Sequence, residues 1–292
     1  MFNAATLGQV LVNGASLSAI YVLVALGFTL LFGIMRVVNF AHGAFAMLGG
    51  YALYYFCGSF GIPYILAVPL AAAFVTVASL IAEGLVFRWF YQRMFESMIG
   101  LLGLNLALIY SAVLLFDVYQ RSIPPAFSGV LEIGGLQLPK DRLMVIVIAV
   151  VVLVSFWIFM TRTRQGLAMR ATAQDLEIAQ TQGINTALTY RIAFAVAIFM
   201  TSLAGGLYAQ IYSLSPLMGE RPLLVAFVVV ILGGMGSVPG AALGGVILGF
   251  TESFLATFYG ASVSSFVSFG VVIALLIVRP WGLLGTPDGV RA

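Results

Sequence analysis

A 292-residue chain with one histidine, His42, one cysteine, Cys57, and ten acidic side chains has little with which to make or break bonds. A single histidine excludes a bis-histidine haem within the chain, and a single cysteine excludes an intrachain disulfide and a cysteine metal cluster. No Ser/His/Asp arrangement surrounds His42 and no P-loop is present, so neither acyl transfer nor nucleotide binding of that kind is written here. No cofactor is expected. The polar residues are notable for where they stand. Asn39 and His42 open an apolar run, Asn105 interrupts another, and Glu83 and Glu252 lie inside apolar stretches. In hydrocarbon such groups cost free energy without partners and mark a solute or ion path by default. Asn39 and His42 carry two readings, a helix cap with bundle packing or direct contact with a solute. Glu83, five residues before Arg88, reads as its structural partner, while Glu252 is open between a functional and a structural hydrogen-bonding role.

The elements that must position these residues are membrane helices. Hydrophobic residues make up 62% of the chain and charged ones 8%, against about a quarter charged in soluble domains. The apolar runs are continuous and rich in Gly, Ala, Leu and Val, without the alternation of a barrel. The fold class is therefore an all-α integral membrane protein, with spans expected at 7–33, 40–57, 63–87, 98–118, 143–161, 190–212, 223–258 and 262–279. Met1 to Thr6 carries no Lys or Arg, so the first run reads as a retained helix and not a signal peptide. The seventh stretch has 36 residues, about 54 Å as one helix at 1.5 Å per residue. It is interrupted by Gly233-Gly234-Met235-Gly236-Ser237-Val238-Pro239-Gly240, so a broken or re-entrant pair fits better. Irregular backbone at depth is tolerated where protein or a cavity surrounds it, which makes Gly233, Gly234 and Gly236 candidate pathway elements.

Basic residues set an expected orientation. With the polar insert 162–189 inside, the inner loops carry Arg36, Arg88, Arg93, Arg162, Arg164, Arg170, Arg191, Arg279 and Arg291. The outer side holds Arg121, Lys140, Arg142 and Arg221, nine against four. The N-terminus is then outside and the C-terminus inside. The net charge of +3 fits basic loops on one membrane face and not nucleic-acid binding. The stretch 119–142, with Pro124-Pro125, Gly129, Gly134-Gly135 and Pro139, reads as an outer excursion of turns and short irregular pieces. In the insert, Leu167–Gln182 are good helix formers and Gly183 suits a helix C-terminus. Such a helix either docks on a cytoplasmic partner or the membrane, or is a solvated connection. Gly49-Gly50, Ala204-Gly205-Gly206, Gly244-Gly245 and Gly249 read as close helix packing. The Gly-punctuated regions 33–50 and 233–249 also suggest a weak internal repeat.

Four of these stretches, in order and together running from Gly27 to about Glu252, carry a resemblance. They are Val38-Asn39-Phe40-Ala41-His42-Gly43 with Met47-Leu48-Gly49; Gly166-Leu167-Ala168-Met169-Arg170-Ala171 with Gln174-Asp175 and Gly183-Ile184-Asn185; Ala204-Gly205-Gly206-Leu207-Tyr208; and Ile231 through Gly240. The chain resembles the branched-chain amino-acid ABC-transporter permease family, LivH type. The resemblance implies a single permease domain in a bacterial inner membrane, one half of an importer. Its partners would be a second related permease of LivM type, two cytoplasmic ABC ATPases and a periplasmic solute-binding protein, with membrane lipid around it. It also implies that the insert carries the ATPase-coupling helix, which places Arg164, Arg170, Gln174, Asp175, Glu177 and Gly183 at that contact. Many amino-acid members have Glu after the Asn-Phe-Ala-His-Gly run where this chain has Ala44, and family relatives also import urea, amides and organic acids. Alternating access driven by partner ATPases, along a path lined by Asn39, His42, Asn105, Glu252 and the 233–240 break, is the expected mechanism. A self-sufficient channel or secondary transporter is the alternative.

Overall fold

The computed structural model describes residues 4–124, 127, 129–133 and 136–285. Arg291, Pro125 and Gly134-Gly135, used above for orientation and turns, lie outside the described residues. Among the described residues, seven helices are long and apolar enough to cross a membrane: Thr6–Met35, Tyr64–Leu85, Met94–Phe116, Lys140–Arg162, Thr186–Ile211, Val238–Tyr259 and Ala261–Val278. The first comprises α1 (Ala4–Leu30) and a π-helical turn, Leu31–Met35, and the others are α3, α4, α5, α8, α10 and α11. Two shorter helices complete the bundle, α2 (His42–Gly58) and α9 (Glu220–Gly233).

The first helix is the axis. Its apolar window is 89% buried, against 22% for α4 and for α5. A helix apolar on every side and buried on every side belongs at the centre, whereas α4 and α5 offer their apolar faces to lipid. Small residues let its neighbours approach. Gly245 packs on Val22, Gly249 on Ser18 and Gly14 on Phe250, and the α1–α10 seam is pinned by Ser18 Oγ to the Val246 carbonyl (3.1 Å) and Ser253 Oγ to the Val10 carbonyl (2.9 Å). The second seam joins α2 to α8: any Cβ at Gly49 would overlap the Ser202 carbonyl, and any Cβ at Gly205 the Ala46 carbonyl. Without a hydrophobic drive between helices in lipid, such contacts supply the packing energy.

The expected full span at 40–57 is not one. At 1.5 Å per residue the 17 residues of α2 and the 14 of α9 reach about 26 and 21 Å, short of a ~30 Å hydrocarbon core. Each is preceded by buried non-helical chain. Val37, Val38, Asn39 and Ala41 lead into α2, and Leu214, Pro216 and Met218 lead into α9. The two helices begin against one another, with Gly43 and Gly219 in mutual backbone contact. The 36-residue stretch divides as expected, but more sharply: α9 stops at Gly233 and α10 starts at Val238. Pro239 and Gly240 do not break a helix; they lie in the first turn of α10, where the Gly240 N–H donates to Ser237 Oγ (3.1 Å). A proline is tolerated there because that N–H has no intrahelical partner.

At the end of the bundle that holds Gly33 and Gly236, the insert forms α6 (Arg164–Gln174) and α7 (Leu176–Thr181). The single helix expected over Leu167–Gln182 is split at Asp175, whose extended backbone (φ −152°) lets Oδ1 accept the Ile178 N–H at 2.9 Å. An aspartate that can cap competes with helix continuation. Gly183 ends α7 at φ +79°, as a helix C-terminus favours. Residues 281–285 return to this end, where the Leu283 and Leu284 N–H groups donate to the carbonyls of Leu232 and Gly233. The start of α1 lies at the opposite end. There, part of the 119–142 excursion is a hairpin, β1 (Val130–Ile133) antiparallel to β2 (Leu136–Pro139), and paired backbone bonds between Arg121 and Leu214 (2.9 Å each) tie the chain that precedes it to the link between α8 and α9.

Candidate translocation and docking sites

His42 sits at the α2 start, wholly buried between α1 and α8. Its Nε2 is 2.9 Å from the Val24 carbonyl and 3.1 Å from Thr201 Oγ1, and Phe28 meets the ring edge at 5.4 Å. A carbonyl only accepts, so Nε2 carries the proton, while Nδ1 has no partner among the described residues. Asn39 does not cap the helix. Ala41 holds that position without a side-chain bond, and Asn39 contributes its carbonyl to the His42 N–H at 3.2 Å. Its amide is wholly buried with neither Oδ1 nor Nδ2 bonded among the described residues. The N-termini of α2 and α9, each a centre of partial positive charge, meet at Gly43 and Gly219. Leaving an amide unsatisfied costs about 1–3 kcal/mol. Asn39→Leu, close in shape, is therefore expected to raise the thermal midpoint of the purified protein in lipid nanodiscs; an unchanged or lower midpoint contradicts this.

Glu252 belongs to a different cluster. It is 6% exposed on α10, its Oε2 accepts the Tyr21 hydroxyl of α1 at 2.6 Å, and its Oε1 takes Nη2 of Arg221 from the first turn of α9. Ser264 Oγ of α11 bonds the Glu252 carbonyl at 2.8 Å. The carboxylate thus joins α1, α10 and the start of α9, and the main-chain carbonyl of the same residue ties in α11. Tyr212 lies under the Arg221 guanidinium, 5.8 Å from carbon to ring centre. Arg221, which charge counting alone assigns to an outer loop, is the residue that sequence reasoning missed. The available signal was that an arginine directly preceding Pro222 and an apolar run has one intramembrane acid, Glu252, left to answer it.

Glu83 is likewise paired, but not with Arg88. It accepts the Tyr91 hydroxyl and lies 3.5 Å from Arg191 Nε, while Arg88 stacks on Trp89 at 5.0 Å. The chain turns through the 3-10 segment Phe87–Phe90 after α3, carrying Arg88 away and bringing Tyr91 back. Asn105 is half-buried on α4 and forms no hydrogen bond with Asn39, His42 or Glu252 among the described residues. Gly233 and Gly234 pack on Gly240 and Gly285, and Gly236 sits beside Gly33, so all three stand at the insert end of the bundle.

At that end Gln174, Asp175 and Glu177 share a cavity of about 310 Å³ with Gly33, Arg36 and Gln92. Arg36 and Gln92 both hold left-handed backbone, φ +54° and +62°. Gln92 ties the corner together, its N–H on the Met35 carbonyl (3.0 Å) and its Nε2 on the Tyr190 hydroxyl (2.9 Å). Arg164, Arg170 and Gly183 are exposed nearby on the insert. One face of the insert is packed through Met169, Thr172 and Ala179, while Leu167 and Ile178 on the other are 61% and 59% exposed.

The comparisons with known proteins point the same way. Residues 10–276 match the family described as branched-chain amino acid transport system / permease component. The chain is 32% identical to the high-affinity branched-chain amino acid transport system permease protein BraD of Pseudomonas aeruginosa, over 96% of both chains. It is 29% identical to LivH of Escherichia coli K12, again over 96% of both, and 28% identical to LivH of Salmonella typhimurium over the same share. No solved structure matches. With nearly its whole length matched, this multi-pass membrane protein belongs to the branched-chain amino acid transport system permease family.

Proposed function

We propose that the chain is one permease subunit of an ATP-binding-cassette importer in a bacterial inner membrane. It moves a small polar solute, an amino acid or a related amide or organic acid, into the cytoplasm. Two cytoplasmic ATPases, a second related permease and a periplasmic binding protein complete the assembly. The ATPases supply the energy, and the permease itself makes and breaks no covalent bond. The end bearing the insert faces the cytoplasm, with the C-terminus on that side and the N-terminus outside. With Arg221 set aside as the partner of Glu252 within the bundle, nine basic residues against three support this orientation.

The observation that carries the reading is the insert. The α6–α7 pair rests its packed face on the inner end of α1 and turns Leu167 and Ile178 outward. A lever between an ATPase and a transport path needs both faces. Pressure on the outer face would reach Gly33 and Gly236, where α1 and the α9–α10 turn touch, and from there the seam between α1 and α10. The solute path then runs past the α2 and α9 starts, where Asn39, His42 and Glu252 supply the intramembrane polar groups. Gly233, Gly234 and Gly236 act as its inner pivot.

Because Asp175 caps α7, its removal would unwind the insert as well as alter its charge. Ile178 is the cleaner test. Ile178→Asp adds a charge to the outward face only, and burying an unpaired charge at a protein contact costs a few kcal/mol, a loss of about a hundredfold in the contact's affinity. The expected result in proteoliposomes holding the full complex is loss of ATP-driven uptake and of binding-protein-stimulated ATPase, with normal membrane insertion. Retention of both activities would remove the docking assignment. Uptake by this chain alone would instead favour the channel or secondary-transporter reading.

A further inference from the structure

Beside the half-length helix α2 lies a cavity that the solute path described above does not use. It measures about 390 Å³ and is bounded by three helices, with Phe45, Tyr51 and Tyr55 on α2, Ala78 on α3, and Leu108 and Phe116 on α4. The wall is hydrocarbon and ring along most of its length. Its hydroxyl on α3, Ser79, is spent on the Thr76 carbonyl at 2.7 Å. One end differs. The chain leaves α4 at Phe116, and Arg121 folds back over that end. Its Nη2 donates to the Phe116 carbonyl (2.8 Å), its Nη1 donates to the Tyr55 hydroxyl (3.3 Å), and the Tyr54 ring lies 5.5 Å below the guanidinium carbon. Both hydrogen-bond acceptors are neutral and both belong to residues of the cavity wall. Among the described residues no carboxylate pairs with Arg121. Tyr51, stacked on Phe116 at 4.3 Å between ring centres, is 2% exposed, and its hydroxyl has no hydrogen-bond partner among the described residues.

We infer that this cavity holds one acyl chain of a membrane glycerophospholipid, whose phosphate rests on Arg121 and whose ester region meets the Tyr51 hydroxyl. The order of groups carries the assignment. A phospholipid presents phosphate, then ester, then hydrocarbon, and the protein presents a cation, then an unbonded hydroxyl, then an apolar wall. Tyr51 stands one turn deeper than Tyr55 on α2, about 6 Å at 1.5 Å per residue. From Tyr55 to Phe45 the helix descends about 15 Å, half of a ~30 Å hydrocarbon core and hence the depth of one leaflet. Arginine and tyrosine just past the end of a spanning helix stand at headgroup level. A guanidinium has five N–H donors, of which the bonds to Tyr55 and Phe116 account for two, so phosphate oxygens are accepted without dismantling that corner. Other occupants fit less well. One turn of helix, 5.4 Å long and at least 10 Å across, fills about 420 Å³, more than the whole cavity, and a polar solute would meet rings and methyl groups. The inference rests on the membrane class of the chain and not on its role in transport.

The test titrates the full chain, purified in mild detergent and stripped of lipid, with dioleoylphosphatidylglycerol and counts bound lipid by native mass spectrometry. Dioleoylglycerol supplies the chains without the phosphate, and glycerol 3-phosphate supplies the phosphate without the chains. The expected result is one tightly bound phospholipid, with dioleoylglycerol weaker by about tenfold or more, the loss that accompanies one hydrogen bond to a charged group, and no competition from glycerol 3-phosphate. Arg121→Gln should remove the preference for the phospholipid over dioleoylglycerol. Ala78→Trp, which fills the cavity from its exposed α3 wall, should abolish the tight binding of both lipids. Leu115→Trp, on the outward side of α4 where Leu115 is 75% exposed, should leave both as they were. Equal affinity for the two lipids would reduce the site to an apolar groove, and competition by glycerol 3-phosphate would reduce it to an anion site; either overturns the inference. So would tight binding that survives Ala78→Trp, a preference that survives Arg121→Gln, or equal losses in Ala78→Trp and Leu115→Trp. If Arg121→Gln does not accumulate as folded protein, Arg121→Lys decides: a preference for the phospholipid kept at lower affinity supports the site, and its loss overturns it.

Discussion

Gly205→Val is expected to abolish accumulation of folded protein. Gly205 lies in α8 where the helix crosses α2, and any Cβ there would coincide with the backbone of Ala46. Gly49, on the facing helix, meets the Ser202 backbone in the same way. The two contacts interlock with a Ser202 Oγ to Phe45 carbonyl bond of 3.2 Å, so relieving one clash by separation would break the rest of the seam. Overpacking where side chains can adjust costs about 1–3 kcal/mol, but the obstacle here is backbone on both sides and the cost exceeds that range. A second consequence sharpens the test. The α2–α8 seam is what holds His42 against Thr201, so a variant rescued at low temperature should still have a displaced α2 start. The measurement is the monodisperse fraction after mild detergent extraction, with Gly84→Val as control, since nothing stands within 4 Å of a Cβ at Gly84. Equal yields for the two variants would refute the seam argument.

Arg221→Ala is expected to be more destabilising than Glu252→Ala, although the two residues form one pair. Removing one member of a buried pair costs about 3–5 kcal/mol because the other charge is stranded. Stranding is unequal here. Glu252 is 8% exposed and, with Arg221 gone, keeps only the Tyr21 hydroxyl for its charge, whereas Arg221 is 42% exposed and can turn toward water when Glu252 is gone. The Arg221 variant should therefore lose an amount near the lower end of that range, about 3 kcal/mol. The Glu252 variant should lose clearly less, the Tyr21 hydroxyl giving up one bond worth about 1.5–3 kcal/mol at most. Adding Glu252→Gln to Arg221→Ala should restore most of the loss, since a neutral amide can be buried against Tyr21. Thermal midpoints of the three variants in nanodiscs decide the matter, and equal losses in the two single variants would contradict the asymmetry.

These two cases mark how far the sequence alone reaches. The membrane class, the positions of most long helices, the division of 223–258 and the packing role of the paired glycines follow from composition and spacing, because hydrocarbon forces every backbone group into helical bonds. The 162–189 insert is legible as a polar, helix-forming segment, but its break at Asp175 is not. That break depends on one side chain choosing a cap over helix continuation. Asn39 illustrates the opposite limit: its residue type predicted a cap, and the chain placed it two residues before the cap position with its amide unbonded.

What tertiary structure decided was which distant residues meet. Hydropathy reports on each segment separately, and it assigns Arg221 to water because an arginine between two apolar runs falls in a loop. Only the close approach of α1 and α10, allowed by Gly245 and Gly249, brings Tyr21 and Glu252 together, 231 residues apart in sequence. Only the half-length of α9 delivers Arg221 to that carboxylate. The sequence by itself determined that polar groups would lie among apolar helices, and that each would require a partner, since the cost of leaving them bare is a local property. The identity of the partner is a property of helix crossing, set by backbone contacts that no single stretch of sequence contains.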